Sequence, residues 1–104
     1  MSALEDLVGA SPRAYFDALI AIYEDLHRNP ELSMQEARTA AIASDALRRC
    51  GFEVATGIGG TGVAGVLRNG DGPTVLLRAD MDALPLTEAT EAQYASVVPG
   101  VAHA

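Results

Sequence analysis

Residues 75–77, Val-Leu-Leu, form an unbroken apolar run that leads into Arg78, Asp80 and Asp82 and stops at Pro85. A strand that is apolar on both faces needs a neighbour along each edge and a layer over each face. That demand limits the fold more than any other feature of the chain. The two aspartates add a second constraint. In an extended segment, side chains two positions apart point to one face. Two like charges so placed repel each other unless a cation, a histidine or water intervenes. Asp80 and Asp82 therefore either solvate the end of a strand or form the wall of an active site.

The residues before this run read as two helices. In "SPRAYFDALIAIYEDLHRNP", Ser11 is the expected cap, Pro12 suits the first turn, and Phe16, Leu19, Ile20, Tyr23 and Leu26 share one face. Pro30 ends that helix near residue 28. A second helix is predicted over 33–50, with Ser33 and Glu36 as a capping box and Gly51 as the left-handed stop. Its inner face is small (Ala37, Ala40, Ala41, Ser44, Leu47), so close packing against it is expected. Cys50 is expected to be a buried apolar residue rather than a nucleophile. His27, in the last turn of the first helix, reads as a favourable partner for the helix dipole, and Glu31 and Glu36 as surface and cap.

From Gly51 the apolar period changes to two. "FEVAT" is a short strand, and strands over 62–68 and 73–80 are expected to pair as a hairpin through the turn "NGDG". "GIGGTG" (57–62) fits the glycine spacing of a dinucleotide-binding loop. Such a loop works only when a helix opens directly after it and offers its positive end to the pyrophosphate. The next residues, "VAGVL", read as strand, so a glycine turn between strands is the better account. After Pro85 the sequence keeps no period and reads as loop. The hairpin partner and two helices leave the 75–77 run short of a neighbour, so residues 1–104 are expected to be the opening piece of a larger α/β domain.

Composition removes several function classes. The chain has 104 residues, 49% apolar and 20% charged, with a net charge of −7, and its seven basic residues are all arginine. Without lysine there is no Schiff-base chemistry and no lysine-dependent phosphate loop. The acidity, without a basic run, argues against nucleic acid or an anionic membrane as partner. One cysteine permits no internal disulfide. No stretch approaches the roughly eighteen consecutive apolar residues of a membrane helix, and "MSALEDLVGASPR" lacks the basic start of a secretory signal. A cytoplasmic protein is the expectation.

"LHRNPELSMQEARTA", "TGVAGVL", "GPTVLLRADMDALPLTEAT" and "YAS…PGVAHA" resemble, in order and spacing, the start of the aminoacylase/carboxypeptidase-type metallopeptidase family. The similarity is greatest to its amidohydrolase branch: hippurate hydrolase, N-acyl-amino-acid hydrolases and auxin-conjugate hydrolases. The resemblance implies the opening part of a two-metal hydrolase catalytic domain, with two helices packed on a partial mixed β-sheet and a lid or dimerisation domain elsewhere in the full-length protein. It implies zinc or manganese as cofactor, an N-acyl amino acid as substrate, and allows a homodimer. Asp82 matches an aspartate at the metal site, where a carboxylate can orient a ligand histidine. Asp80 falls where other branches place a metal-binding histidine. In the family a Cys-Gly-His-Asp motif carrying metal ligands directly follows the position of His103 and Ala104, so no metal ligand and no bound metal are expected of this chain alone. A metal-bridged hydroxide would attack the amide carbonyl in the complete enzyme. "LHRNPELS" is read as a structural joint between helices. Two positions depart from the pattern: Ala102 stands where methionine is usual, and Glu91 where glycine is usual. The alternative, from another class, is a stand-alone non-catalytic remnant that associates through its open sheet edge. A small nucleotide-binding module resting on "GIGGTG" is a weaker third.

Overall fold

A computed structural model describes residues 13–104, which run in the order α1 (Arg13–Arg28), α2 (Ala37–Arg49), β1 (Glu53–Ile58) and β2 (Gly62–Val66). The expected cap Ser11 and Pro12 lie outside the described residues. The architecture is α/β: two helices and a two-stranded antiparallel sheet, with α2 laid across both strands. No described helix is long and apolar enough to cross a membrane.

α1 ends as its sequence requires. Pro30 has no N–H to continue the ladder, and Asn29 closes the last turn, its backbone N–H and side-chain amide donating to the Asp25 carbonyl at 3.1 and 2.9 Å. The apolar face of α1 does not enter a core among the described residues: Phe16, Leu19, Ile20 and Tyr23 are each 45–59% exposed.

α2 starts four residues later than the capping-box pattern predicts. Leu32 is drawn into a parallel bridge with Ala83, and the Leu32–Gln35 turn puts Met34 at a φ of +66°, outside the helical region. Ser33 therefore sits in a turn and cannot cap. Glu31 does the capping instead. Its carboxylate accepts the N–H groups of Arg38 (3.1 Å) and Thr39 (2.6 Å) and the Thr39 hydroxyl (2.7 Å). Those two N–H groups are the orphan donors that a cap side chain normally satisfies. Glu36, 8% exposed, instead accepts the Thr61 hydroxyl at 3.1 Å and ties the start of α2 to the hairpin turn. The helix ends as expected. Gly51, at a φ of +89°, donates to Arg48 at 3.0 Å and Phe52 donates to Leu47 at 3.1 Å, the paired bonds of a Schellman stop. Cys50, at the cap, is exposed rather than buried, because the reversal returns the chain to α2 only at Phe52.

The hairpin differs from the expected one. β2 pairs with β1, Glu53 opposite Val66 and Ala55 opposite Ala64, with a register shift between Ala55 and Ile58. The reversal uses "GIGGTG", where Gly57, Gly59 and Gly60 all have positive φ. This confirms a glycine turn between strands and removes the helix start that nucleotide binding would need. Gly65 lets α2 come close, since a Cβ there would meet the side chains of Leu47 and Phe52 at 3.2 Å. The small face of α2 is only partly covered; Ala37, Ala40, Ala41 and Ser44 line an open hollow of about 370 Å³ against Thr56, Gly57, Gly60 and Thr61.

Residues 73–80 are not a strand paired to β2. They follow a bend at 70–72 and run without regular structure, with Val75, Leu76 and Leu77 exposed by 84, 87 and 92%. No backbone hydrogen bond joins 73–82 to another described segment. The reason is the one that makes the run informative: pairing along one edge would still leave both faces in water. The mixed pairing resumes at 83–84, where Ala83 bridges Leu32 in parallel and Leu84 bridges Ala102 antiparallel. Ala83 and Ala102, 3 and 0% exposed, are with Pro30 the buried apolar residues among those described. A radius of gyration of 16.2 Å, against about 13 Å for a compact domain of this length, agrees with so small a core.

Replacing Glu31 by Ala strands two N–H donors and a hydroxyl, so Glu31→Ala should destabilise the fold by about 0.5–2 kcal/mol at neutral pH, measured by denaturant unfolding. Burial raises the Glu31 carboxyl, but the bonds from Thr39 and Arg38 outweigh it and the net shift is downward. The stabilisation is therefore complete above the unfolded carboxyl value and fades as pH falls through the folded one, where the difference between Glu31→Ala and the parent should close. A difference that stays constant on acidification counts against the cap.

Candidate functional site

Three stretches meet around residue 83. The Ala83 N–H donates to the Glu31 carbonyl at 2.8 Å, and Leu84 and Ala102 exchange both their backbone bonds at 2.9 and 3.0 Å. Asp82 and His103 lie immediately beside these anchored positions. The last turn of α1 adds His27, whose ring centroid is 6.3 Å from that of His103.

Asp80 and Asp82 do not act as one pair. Asp80 is exposed and bound to Arg78 at 2.8 Å, so a guanidinium two residues away supplies its counter-charge. Asp82 is also exposed, and its charge is felt at His103. Burial pushes the His103 imidazole below its ordinary value and the neighbouring His27 adds to this, while Asp82 pulls it back up. The Nε2 atom of His103 is buried with no hydrogen-bond partner among the described residues.

His27 joins α1 to the loop after Pro85, not helix to helix. Helix is joined to helix by Arg38, whose guanidinium meets both oxygens of Asp25 at 2.7 and 2.8 Å. His27 Nε2 lies 3.0 Å from Glu88 Oε1, with the two side chains 15 and 7% exposed. An ionised carboxylate only accepts, so the proton must sit on Nε2. Tyr94 meets the His27 ring edge-on at 5.3 Å and Tyr23 stacks on it at 6.1 Å. Glu88 also accepts the Ser96 N–H at 2.9 Å and the Thr90 hydroxyl. The Thr90 hydroxyl first, then the Ser96 N–H, and last His27 outweigh the opposing effect of burial and hold its carboxyl down to about 2. Glu88 carries little signal in the sequence beyond an acid placed two residues before a threonine inside "LPLTEAT". Glu91 has a φ of +58°, which explains why glycine is usual there.

The residues present can be tested against the two-metal site that the resemblance implies. Among the described residues no group of three or more His, Cys, Asp and Glu side chains could hold a metal ion. Asp80 is engaged by Arg78, and the buried, unpartnered donor is His103 alone. This donor set does not fit a metal centre by itself.

No family model matches the chain. Among characterised proteins, thermostable carboxypeptidase 2 of Saccharolobus solfataricus is 47% identical over 85% of this chain and 23% of its own length. The hippurate hydrolase of Campylobacter jejuni is 46% identical over 80% of this chain and 22% of its own length. An IAA-amino acid hydrolase of Arabidopsis thaliana is 39% identical over 86% of this chain and 21% of its own. The crystal structure of Bacillus subtilis YXEP, a dinuclear metal-binding peptidase from the M20 family, superposes with a TM-score of 0.81 at 37% identity, covering 88% of this chain and 26% of its own. The chain thus spans between a fifth and a quarter of the length of these relatives.

The Glu88 cluster gives a pH signature. Its folded value of about 2 lies well below the ordinary carboxyl range, so its contribution is complete above the unfolded value and is lost as pH falls from there through about 2. Protection of the Ser96 amide against hydrogen exchange, corrected for intrinsic rates, should stay level from pH 7 to about 5 and fall below it. Glu88→Gln should flatten that fall. Equal acid dependence in both proteins would show that Glu88 does not hold the loop.

Proposed function

We propose that this chain, a homologue of amidohydrolases and of an M20-family peptidase over about a quarter of their length, forms one wall of a metal-dependent hydrolase site that cleaves the amide bond of N-acyl amino acids or similar conjugates. The observation that carries the reading is the anchoring of residues 83, 84 and 102, which sets Asp82 near the half-buried His103, whose Nε2 is buried without a partner among the described residues. In this reading Asp82 is the carboxylate that orients a histidine of the site, and Asp80, bound to Arg78, shapes its electrostatic surroundings. The names of the relatives support a small acyl-amide substrate, and the dinuclear peptidase supports divalent metal in the complete protein. The donor set described above supports a chain that is inactive alone. The exposure of Val75, Leu76 and Leu77 favours the second reading, a non-catalytic remnant that associates through its open edge.

A graft decides between them. This chain, put in place of the 84-residue stretch it matches in the Campylobacter jejuni hydrolase, should support metal-dependent hydrolysis of an N-benzoyl amino acid. In that graft Asp82→Ala should lower turnover by about 10- to 100-fold, and Glu53→Ala, on the exposed side of β1, should leave it unchanged. A folded graft without turnover, or equal activity of the two variants, would favour the remnant.

The chain alone should take up zinc only weakly in calorimetry and show no metal-dependent turnover, since stable sites use three or more fixed ligands. Tight one-to-one uptake accompanied by turnover would overturn that part of the reading.

A further inference from the structure

We propose that Glu88 is a positioning residue: by gathering His27, Thr90 and Ser96 on one carboxylate, it sets the loop that brings His103 to the side of Asp82. The proposal rests on reading the Asp82 face as part of a hydrolase site, but its test reads geometry rather than turnover, so either idea can fail without the other.

Two routes lead from Glu88 to His103. The first runs through the backbone. Oε1 accepts the Ser96 N–H at 2.9 Å, and the Ser96 hydroxyl reaches the Val101 carbonyl at 2.6 Å. Val101 precedes Ala102, which is locked to Leu84 by two bonds, and Leu84 lies two residues after Asp82. The second route runs through a ring. The same Oε1 fixes His27 at 3.0 Å, and His27 packs between Tyr94 and His103 at centroid distances of 5.3 and 6.3 Å. The Val97 N–H donates to the Arg28 carbonyl at 2.9 Å, so the loop and the end of α1 meet at a second point. The three donors come from helix, near loop and far loop, and all converge on one side chain.

The acceptor must be a two-oxygen group or its close mimic. A glutamine could place its oxygen toward His27 and Ser96 and its amide toward the Thr90 hydroxyl, which accepts as well as donates. An alanine can serve none of them. Rescue by Gln and not by Ala therefore separates positioning by hydrogen bonds from a requirement for charge or bulk.

The experiment is NMR on the labelled 104-residue chain at neutral pH. In Glu88→Ala the cross-peaks between the rings of His27 and His103 should vanish, and amide exchange at Ser96 and Ala102 should rise about tenfold or more, as loss of a bond to a charged group implies. The amides of Leu47, Phe52 and Gly65, where α2 meets the hairpin, should keep their shifts and rates. Glu88→Gln should retain the cross-peaks. Cross-peaks that survive in Glu88→Ala, or an equal rise in exchange at Leu47 and Gly65, would overturn the proposal, the latter because it marks general loosening. If Glu88→Ala does not fold, Ser96→Ala decides. It cuts the backbone route and should speed exchange at Ala102 and His103 without disturbing the His27 ring, and unchanged rates there would overturn the proposal.

Discussion

Glu31 is held at both of its ends, and much of the arrangement depends on that. Its carbonyl accepts the Ala83 N–H, and its carboxylate closes the start of α2 on Arg38 and Thr39. Arg38 then reaches back to Asp25 in α1. One residue therefore fixes where α2 begins, how α2 meets α1, and where the stretch bearing Asp82 crosses the end of both helices. Substituting its side chain would free the start of α2, whereas the bond from Ala83 rests on the backbone carbonyl and would survive.

That reliance on polar ties follows from the small core. The buried apolar residues are Pro30 and two alanines, and Phe16, Leu19, Ile20 and Tyr23 of α1 and residues 75–77 remain largely in solvent. Carboxylates with several donors each, Glu31 on one side and Glu88 on the other, do here what side-chain packing does in a compact domain. Hydrogen bonds to a charged acceptor are stronger than those between neutral groups, so a few of them hold loops that burial alone would not.

What could be read from sequence was local. The stop at Pro30, the Schellman end at Gly51 and the glycine turn at 57–62 each depend on the backbone preferences of one or two residues, and each is found where expected. The reading failed where a distant partner overrode the local pattern. Ser33 and Glu36 have the spacing of a capping box, but the Leu32–Ala83 bridge bends the chain at Met34 and passes the cap to Glu31. Residues 73–80 have the composition of a strand, but a strand apolar on both sides needs layers that the described chain lacks. At the candidate site the aspartates were legible as a pattern. Their separation, one to Arg78 and the other toward His103, was not, and neither was the link from His27 to Glu88 across 61 positions.

The exposed stretch also bears on solubility. "TVLLRA" has the length and the β-forming composition of a segment that can stack into a cross-β fibril, and its backbone is free to do so. Its own charge and its flanks oppose that outcome. Pro73 offers no N–H to a neighbouring molecule, and in-register stacking would set Arg78 on Arg78 and Asp80 on Asp80 about every 4.8 Å along the fibril. The ion pair that neutralises Asp80 within one molecule thus becomes two columns of like charge in a stack. On this argument Arg78 and Asp80 would act as gatekeepers, and trading either for an uncharged residue would remove a barrier to fibril growth.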